Sequence, residues 1–192
     1  MKTKNWIRFG LIAVAILAMA GCNGNDLTRS ASPVALIIST TQNLHTLDLT
    51  GTPNCNQSIG TVNMQAVIKN PASGSTNTTF EQLRVTSYQV SYVRTDGGKQ
   101  VPAPFVVSMD VLLTPGGAIT PATFLAFQTN ALTQAPFVAL LPANGGRDPD
   151  TGMSTVSMDL VLTLFGETLA GDKVTASTRV PLTFCYNCGG CS

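Results

Sequence analysis

Charged residues are scarce in this chain, and the two signs nearly balance. Asp, Glu, Lys and Arg account for 11% of the 192 residues, with 11 basic and 10 acidic side chains. An ordinary soluble domain carries about 25% charged residues. The basic residues form no run or patch, so the sequence argues against a nucleic-acid partner. A helical fold is also disfavoured, because Glu, Lys and Arg are strong helix formers and are scarce in this chain.

Histidine is almost absent, and recognisable catalytic motifs are missing. His45 is the only histidine, so it has no second imidazole with which to bind a metal or build a catalytic triad. The chain contains no Gly-x-Ser-x-Gly, no His-Glu-x-x-His and no glycine-rich phosphate loop. We therefore expect a protein that is not an enzyme and needs no cofactor.

No apolar run is long enough for a transmembrane helix. Residues 9–20 form the main apolar run, and a bilayer-spanning helix needs about 20 apolar residues. Lys2, Lys4 and Arg8 precede this run. A short apolar stretch behind a basic start is typical of an export signal, whose positive flank stays in the cytoplasm. We therefore predict that residues 1–21 are a signal peptide.

The end of this segment resembles the lipobox of bacterial lipoproteins. Met19-Ala20-Gly21-Cys22 has two small residues before the cysteine, with Met19 where Leu is usual. The resemblance implies cleavage before Cys22, a diacylglycerol on its sulfur and a third acyl chain, such as palmitate, on its amine. Each buried CH₂ contributes about 0.8 kcal/mol, so two or three chains anchor a protein firmly. In enteric lipoproteins, Asp directly after the lipidated cysteine favours retention in the inner membrane. By the same resemblance, Asn23 at this position implies the outer membrane of a Gram-negative bacterium.

Two other interpretations of the same segment stay open. It could be an ordinary cleaved signal that happens to end at a cysteine, or an anchor that is never cleaved.

Cleavage before Cys22 would leave a chain of ordinary single-domain size. Removing 21 of the 192 residues leaves 171, enough for a real core. The predicted signal peptide, which we also call the leader, holds three of the 11 basic residues and no acidic one. The remaining chain therefore has 8 basic and 10 acidic residues. Residues 22–32 are small and polar and are predicted to be a tether. Residues 33–184 form the predicted domain, and residues 185–192 are a cysteine-rich tail.

Alternating polar and apolar residues predict an all-β fold. Strands are predicted at residues 33–39, 44–49, 61–69, 83–94, 105–113, 156–164 and 173–184, while residues 123–131 are ambiguous. Pro136 suits the first turn of a helix, so at most one short helical turn is expected, near residues 136–141. Seven or eight short strands with one-sided patterning predict an antiparallel β-sandwich.

The strand pattern resembles immunoglobulin and fibronectin type III-like modules. The resemblance covers residues 33–184 and is carried by Tyr88-x-Val90-x-Tyr92 and by the long final hairpin. The only tryptophan is Trp6 in the leader, so the buried tryptophan of antibody domains is missing. The resemblance therefore implies a generic Ig-like sandwich. A small barrel or a jelly roll is the alternative.

Four cysteines besides Cys22 are predicted to form two disulfides. They are Cys55, Cys185, Cys188 and Cys191, and an even number in an exported protein favours bridges, with three pairings open. A bridge from Cys55 to the C-terminal cluster would close a loop of about 130 residues, for which the entropic model gives roughly 4–5 kcal/mol. Zinc, an iron–sulfur cluster or a redox pair are the alternatives.

Asp148 and Asp150 are the only candidate metal ligands outside the cysteines. Asp148-Pro149-Asp150-Thr151-Gly152 resembles a fragment of a calcium loop. It lacks the later Glu and the third oxygen ligand of an EF-hand. An Asp/Pro/Gly turn without metal is the competing interpretation.

Anchor, fold and missing catalytic motifs together predict a non-enzymatic lipoprotein of the cell envelope. Its partners would be membrane lipid, through acylated Cys22, and an envelope protein that it supports, adheres to or helps to assemble. The alternative is a lipoprotein that binds a small ligand or a carbohydrate through loops such as residues 72–79 and 144–152. Aromatics make up only 6% of the chain, which leaves few rings for sugar stacking.

Overall fold

The computed structural model describes residues 32–40, 45–50, 58–70 and 78–188. Cys22, Cys55 and Cys191 lie outside these residues. The described part contains eight strands: β1 (Val34–Thr40), β2 (His45–Asp48), β3 (Ser58–Ile68), β4 (Leu83–Arg94), β5 (Phe105–Leu113), β6 (Thr120–Leu125), β7 (Thr155–Thr168) and β8 (Lys173–Cys185). The prediction of a mostly β chain with seven or eight strands is confirmed.

The strands form two sheets. One sheet has the order β1-β3-β6, and the other has the order β2-β8-β7-β4-β5. Every pair is antiparallel except β2 and β8, which are parallel, with Leu47 opposite Phe184. The expectation of a purely antiparallel arrangement is wrong for this pair. A four-residue strand added at a sheet edge can bond in either direction, and its side-chain pattern does not encode which.

The expectation of at most one helical turn is also wrong. The described residues contain no α-helix but four 3₁₀ turns, at Thr79–Glu81, Thr129–Thr133, Phe137–Leu140 and Pro142–Asn144. Three of them lie between β6 and β7. Such turns are three to five residues long, which is too short to produce a helical period in the sequence. Only the turn at Phe137–Leu140 falls where one was predicted.

Alternation along the final hairpin builds the centre of the core. The apolar residues of β7 that face inward, from Val156 to Leu164, are all 0% exposed. Their neighbours Ser157, Asp159 and Thr163 are partly exposed on the other face. Successive side chains of a strand point to opposite faces, so this period of two places one face in the core.

Aromatic side chains join the two sheets and the segment between β6 and β7. Tyr88 of β4 meets Phe124 of β6 edge to face, with ring centroids 4.9 Å apart. The ring centroids of Phe137 and of Phe184 in β8 are 4.7 Å apart. The Tyr92 hydroxyl donates to the Ala126 carbonyl at 2.8 Å, and burial raises the pKa of Tyr92 well above its usual value. The segment after β6 is therefore part of the core.

The end of the fold at which the chain enters β1 is called the tether end. Its described residues are 32–34, 69–70, 78–82, 114–119 and 169–172. Lys69 N donates to Pro33 O at 2.9 Å, and Gly116 N donates to Ala66 O at 3.0 Å. The second bond joins the segment after β5 to β3, so the two sheets end together here.

The opposite end is called the distal end. Its described residues are 49–50, 95–104, 126–154 and 186–188. The segment 126–154 is the long connection from β6 to β7, and it carries three of the 3₁₀ turns. Long ordered connections displayed on a rigid sheet scaffold are where binding residues concentrate.

Candidate functional site at the distal end

A buried arginine at the end of β4 organises two distal loops. The Arg94 side chain is 3% exposed. Its Nε and Nη2 donate to the two carboxylate oxygens of Asp96 at 2.7 and 2.9 Å, and Nη2 also donates to Asp148 Oδ2 at 2.8 Å. Its Nη1 donates to the Gln100 carbonyl at 2.9 Å. One guanidinium thus contacts residues 95–104 and residues 126–154 at once.

Asp96 is held in its charged form by several donors. Besides Arg94, its oxygens accept hydrogen bonds from Gly98 N at 3.1 Å and from Ser157 N at 2.8 Å. Burial opposes the charge on Asp96, but the hydrogen bonds from Arg94, Ser157 and Gly98 outweigh it and lower its pKa from 3.8 to about 2. Charge-assisted hydrogen bonds of this kind are stronger than neutral ones. Asp96 therefore remains ionised at any ordinary pH.

Asp148 is fully buried beside the same arginine. Its side chain is 0% exposed, and Oδ2 also accepts from Thr151 N at 3.1 Å and from Thr151 Oγ1 at 2.8 Å. Burial opposes ionisation, but the hydrogen bonds from Arg94 and Thr151 lower the pKa of Asp148. Its Oδ1 has no hydrogen-bond partner among the described residues. Asp148 thus depends on Arg94 for its charge compensation.

Asp150, in the segment 126–154, binds the backbone of the segment 95–104. We call the contacts of Arg94, Asp96, Asp148 and Asp150 the Arg94 brace. Asp150 Oδ2 accepts from Lys99 N at 2.7 Å and from Gln100 N at 3.0 Å, and these two bonds lower its pKa. The backbone of residues 148–153 closes as a turn, with Gly152 N donating to Asp148 O at 2.7 Å. The two loops are thus joined by side chains of both.

In the structure, the two aspartates that the sequence indicates as candidate calcium ligands have other partners. Arg94 puts its positive charge against Asp148, and Asp150 binds backbone amides of the neighbouring loop. Within the described residues, no group of three or more His, Cys, Asp or Glu side chains is arranged to hold a metal. Calcium at Asp148 and Asp150 stays a prediction, and the guanidinium weighs against it because two cations at one carboxylate repel.

A second cluster at the distal end holds the C-terminal tail against β2. Asp48 Oδ1 accepts from Thr50 N at 2.9 Å, Thr50 Oγ1 at 2.8 Å and Asn187 N at 3.0 Å. Asp48 Oδ2 accepts from Cys188 N at 2.9 Å. Leu49 N donates to the Cys185 carbonyl at 2.8 Å. One carboxylate therefore binds the turn after β2 and the tail after β8.

Two of the four predicted disulfide cysteines are joined in this cluster. Cys185 and Cys188 form a disulfide, with Cα atoms 5.9 Å apart. The other two, Cys55 and Cys191, lie outside the described residues, as does the lipid-attachment candidate Cys22. His45 is the first residue of β2 and pairs with Leu182 through the backbone.

Sequence reasoning did not find Arg94, Asp96 or Asp48 as members of these clusters. The Asp-Gly signal at residues 96–97 predicts only a turn. Asp48 ends a short strand, and Arg94 and Asp148 are 54 residues apart. No local pattern encodes a contact between two loops at that separation.

Comparison with known proteins identifies no relative. The chain matches no family model, no curated protein and no solved structure. The described residues include no helix of sufficient length and apolarity to cross a membrane.

Proposed function

We propose that this protein is a non-enzymatic lipoprotein of the bacterial cell envelope. Lipid on Cys22 anchors it in the outer membrane, and an Ig-like β-sandwich presents a braced distal surface to an envelope partner as a structural, adhesive or assembly module. The observation that carries this proposal is the Arg94 brace, which fixes two loops at the end opposite the tether. A rigid loop surface loses little conformational freedom on binding a protein.

The strand order supports the Ig-like part of the proposal. With β1 and β2 taken as one divided first strand, β1, β3 and β6 lie in one sheet while β2, β8, β7, β4 and β5 lie in the other. This order is similar to that of fibronectin type III-like modules. Connections at the two ends of such folds commonly carry recognition residues.

The anchor is tested with the change Cys22→Ala. The wild-type protein should fractionate with the outer membrane and carry two or three acyl chains at residue 22 by mass spectrometry. The variant should lack the acyl chains and leave the outer-membrane fraction. Outer-membrane association that is unchanged in the variant would contradict lipid anchoring.

The partner surface is tested by crosslinking from two exposed positions. Met153 is 57% exposed in the distal loops, and Leu112 is 53% exposed at the opposite end of β5. A photo-crosslinking residue at 153 should capture one envelope protein in living cells, whereas the same residue at 112 should not. Equal capture from both positions would contradict a distal partner site. Thermal stabilisation of the purified protein by envelope glycans, without any crosslink, would favour the carbohydrate-binding alternative.

A further inference from the structure

Four of the nine exposed large apolar side chains of the described residues lie at the tether end, and the other five lie at or near the distal end. Phe80 is 69% exposed, which is the highest value among the exposed large apolar residues, and Ile119, Leu112 and Leu169 are 55%, 53% and 45% exposed. Leu112 lies one residue before the end of β5, and the other three lie in the connections of this end. Clusters of exposed apolar residues mark protein or membrane contact sites.

Backbone hydrogen bonds hold Phe80 and Leu169 side by side. Ala170 N donates to the Phe80 carbonyl at 3.2 Å, and Leu169 N donates to the Gln82 carbonyl at 2.9 Å. The turn that carries Phe80 is closed by Thr78 N, which donates to Glu81 Oε2 at 2.7 Å. The β7–β8 turn and the 3₁₀ turn before β4 therefore lie side by side, and we call their exposed residues Phe80 and Leu169 the apolar tip.

The charged residues around this tip nearly cancel. Lys69, Arg84 and Lys173 are positive and Glu81, Asp110, Glu167 and Asp172 are negative, a net charge near −1. A surface with so little net charge is not drawn to anionic lipid by long-range forces. Attraction to a bilayer would rest on the apolar side chains alone.

The length of the predicted tether keeps this end near the membrane. Ser32 is ten positions after Cys22 in the chain, and ten fully extended residues span at most about 36 Å. Val34 N donates to Ser32 Oγ at 3.1 Å, so the chain joins the fold at this end. A lipid on Cys22 thus holds Ser32 within one tether length of the bilayer, and the apolar tip lies at the same end of the fold.

We propose that the tip formed by Phe80 and Leu169 docks on the bilayer that holds Cys22. The occupant of this surface is phospholipid at the headgroup and acyl-chain boundary, where Phe and Leu side chains bury their apolar area. The inference rests on the proposed lipid anchor and adds an orientation to it. Two contacts, the acyl chains and the tip, hold the distal loops away from the membrane.

The absence of tryptophan from residues 22–192 allows a direct test. Trp6 is the only tryptophan and lies in the leader, so a single introduced tryptophan reports its own surroundings. Phe80→Trp is the probe, and Met153→Trp at the distal end is the matched control, since both positions are exposed. Each variant is expressed from the full-length chain and purified in its acylated form. It is then reconstituted into phosphatidylethanolamine/phosphatidylglycerol vesicles with or without brominated phospholipid. The melting temperature of each variant should equal that of the wild type.

Docking predicts a blue shift of the tryptophan emission of the Phe80→Trp protein and a loss of its intensity in brominated vesicles. The emission of the Met153→Trp protein should be unaffected by either vesicle. Phe80→Trp protein that floats with the vesicles but shows no quenching would overturn the docking inference and leave the anchor intact. A blue shift without lipid quenching that grows with protein concentration would also overturn it, in favour of contact between two copies. Protein without acyl chains, recognised by its mass, would overturn the anchor and the docking together.

Discussion

At the scale of single residues, Arg94 is the side chain on which most of the distal end depends. It compensates the charge of Asp148, whose side chain is 0% exposed and whose Oδ1 has no partner among the described residues. Removing one member of a buried ion pair leaves the other charge uncompensated, which costs far more than the pair contributes in place. Exposed pairs contribute little, because water and salt screen them.

Arg94→Met should therefore lower the free energy of unfolding by about 3–5 kcal/mol. The matched control is Arg179→Met, because Arg179 is 61% exposed and pairs with Asp159 at 3.7 Å. That change should cost less than about 1 kcal/mol. Urea denaturation of both variants measures the difference, and similar losses in the two would contradict a buried brace.

The lowered pKa of Asp96 predicts how the stability of the protein depends on pH. Its pKa of about 2 in the folded protein lies below the 3.8 of a free side chain. The unfolded state therefore binds a proton first, and the stabilisation by Asp96 is present above pH 3.8 and disappears as the pH falls from about 4 to 2. Melting temperatures across that window should fall more steeply for the wild type than for Asp96→Asn. Parallel curves would show that Asp96 is not responsible.

At the scale of elements, the backbones of β7 and β4 approach each other closely at Gly166. The ladder between them shifts register between Val85 and Ser87, opposite Gly166 and Phe165. A Cβ on Gly166 would lie 2.7 Å from Arg84 O and 3.2 Å from the Cα of Val85. Both neighbours are backbone atoms, which cannot move aside as a flexible side chain would.

Gly166→Ala should destabilise the protein by about 1–3 kcal/mol, the usual cost of overpacking. Thr175→Ala is the control, because Thr175 is exposed on β8 opposite Phe165 and exposed positions tolerate change within about 0.5 kcal/mol. Chemical denaturation measures both. A Gly166→Ala protein as stable as the control would show that the sheet relaxes around the added methyl group.

The strands were the part of the fold that could be predicted from the sequence. Residues 83–94 and 105–113 match β4 and β5 to the residue, because alternation against a buried face is a local signal with a period of two. The parallel pairing of β2, the 3₁₀ turns at Thr129–Thr133 and Pro142–Asn144 and the contact between Arg94 and Asp148 could not be predicted. Each depends on which distant segment lies alongside, and a single sequence does not carry that information.

At the scale of the whole molecule, the cysteines make a prediction about chain connectivity. Of the three pairings open to four cysteines, the bond between Cys185 and Cys188 leaves Cys55 to pair with Cys191. Asp48, seven residues before Cys55, already binds the amides of Asn187 and Cys188. Peptide mapping of the non-reduced protein should therefore find a Cys55–Cys191 peptide. A peptide that joins Cys55 to Cys185 or Cys188 would contradict it.

The bond between Asp48 and Asn187, 139 residues apart, also bears on the order of events during biosynthesis. Both β2 and the turn that follows it are completed by residues at the far end of the chain, so they cannot reach their final contacts while a ribosome or translocation pore still holds that end. Such long-range pairing delays folding until the last strand is free. If the chain is exported as proposed, β2 and the turn after it reach their final contacts only after β8 and residues 186–188 have crossed the membrane.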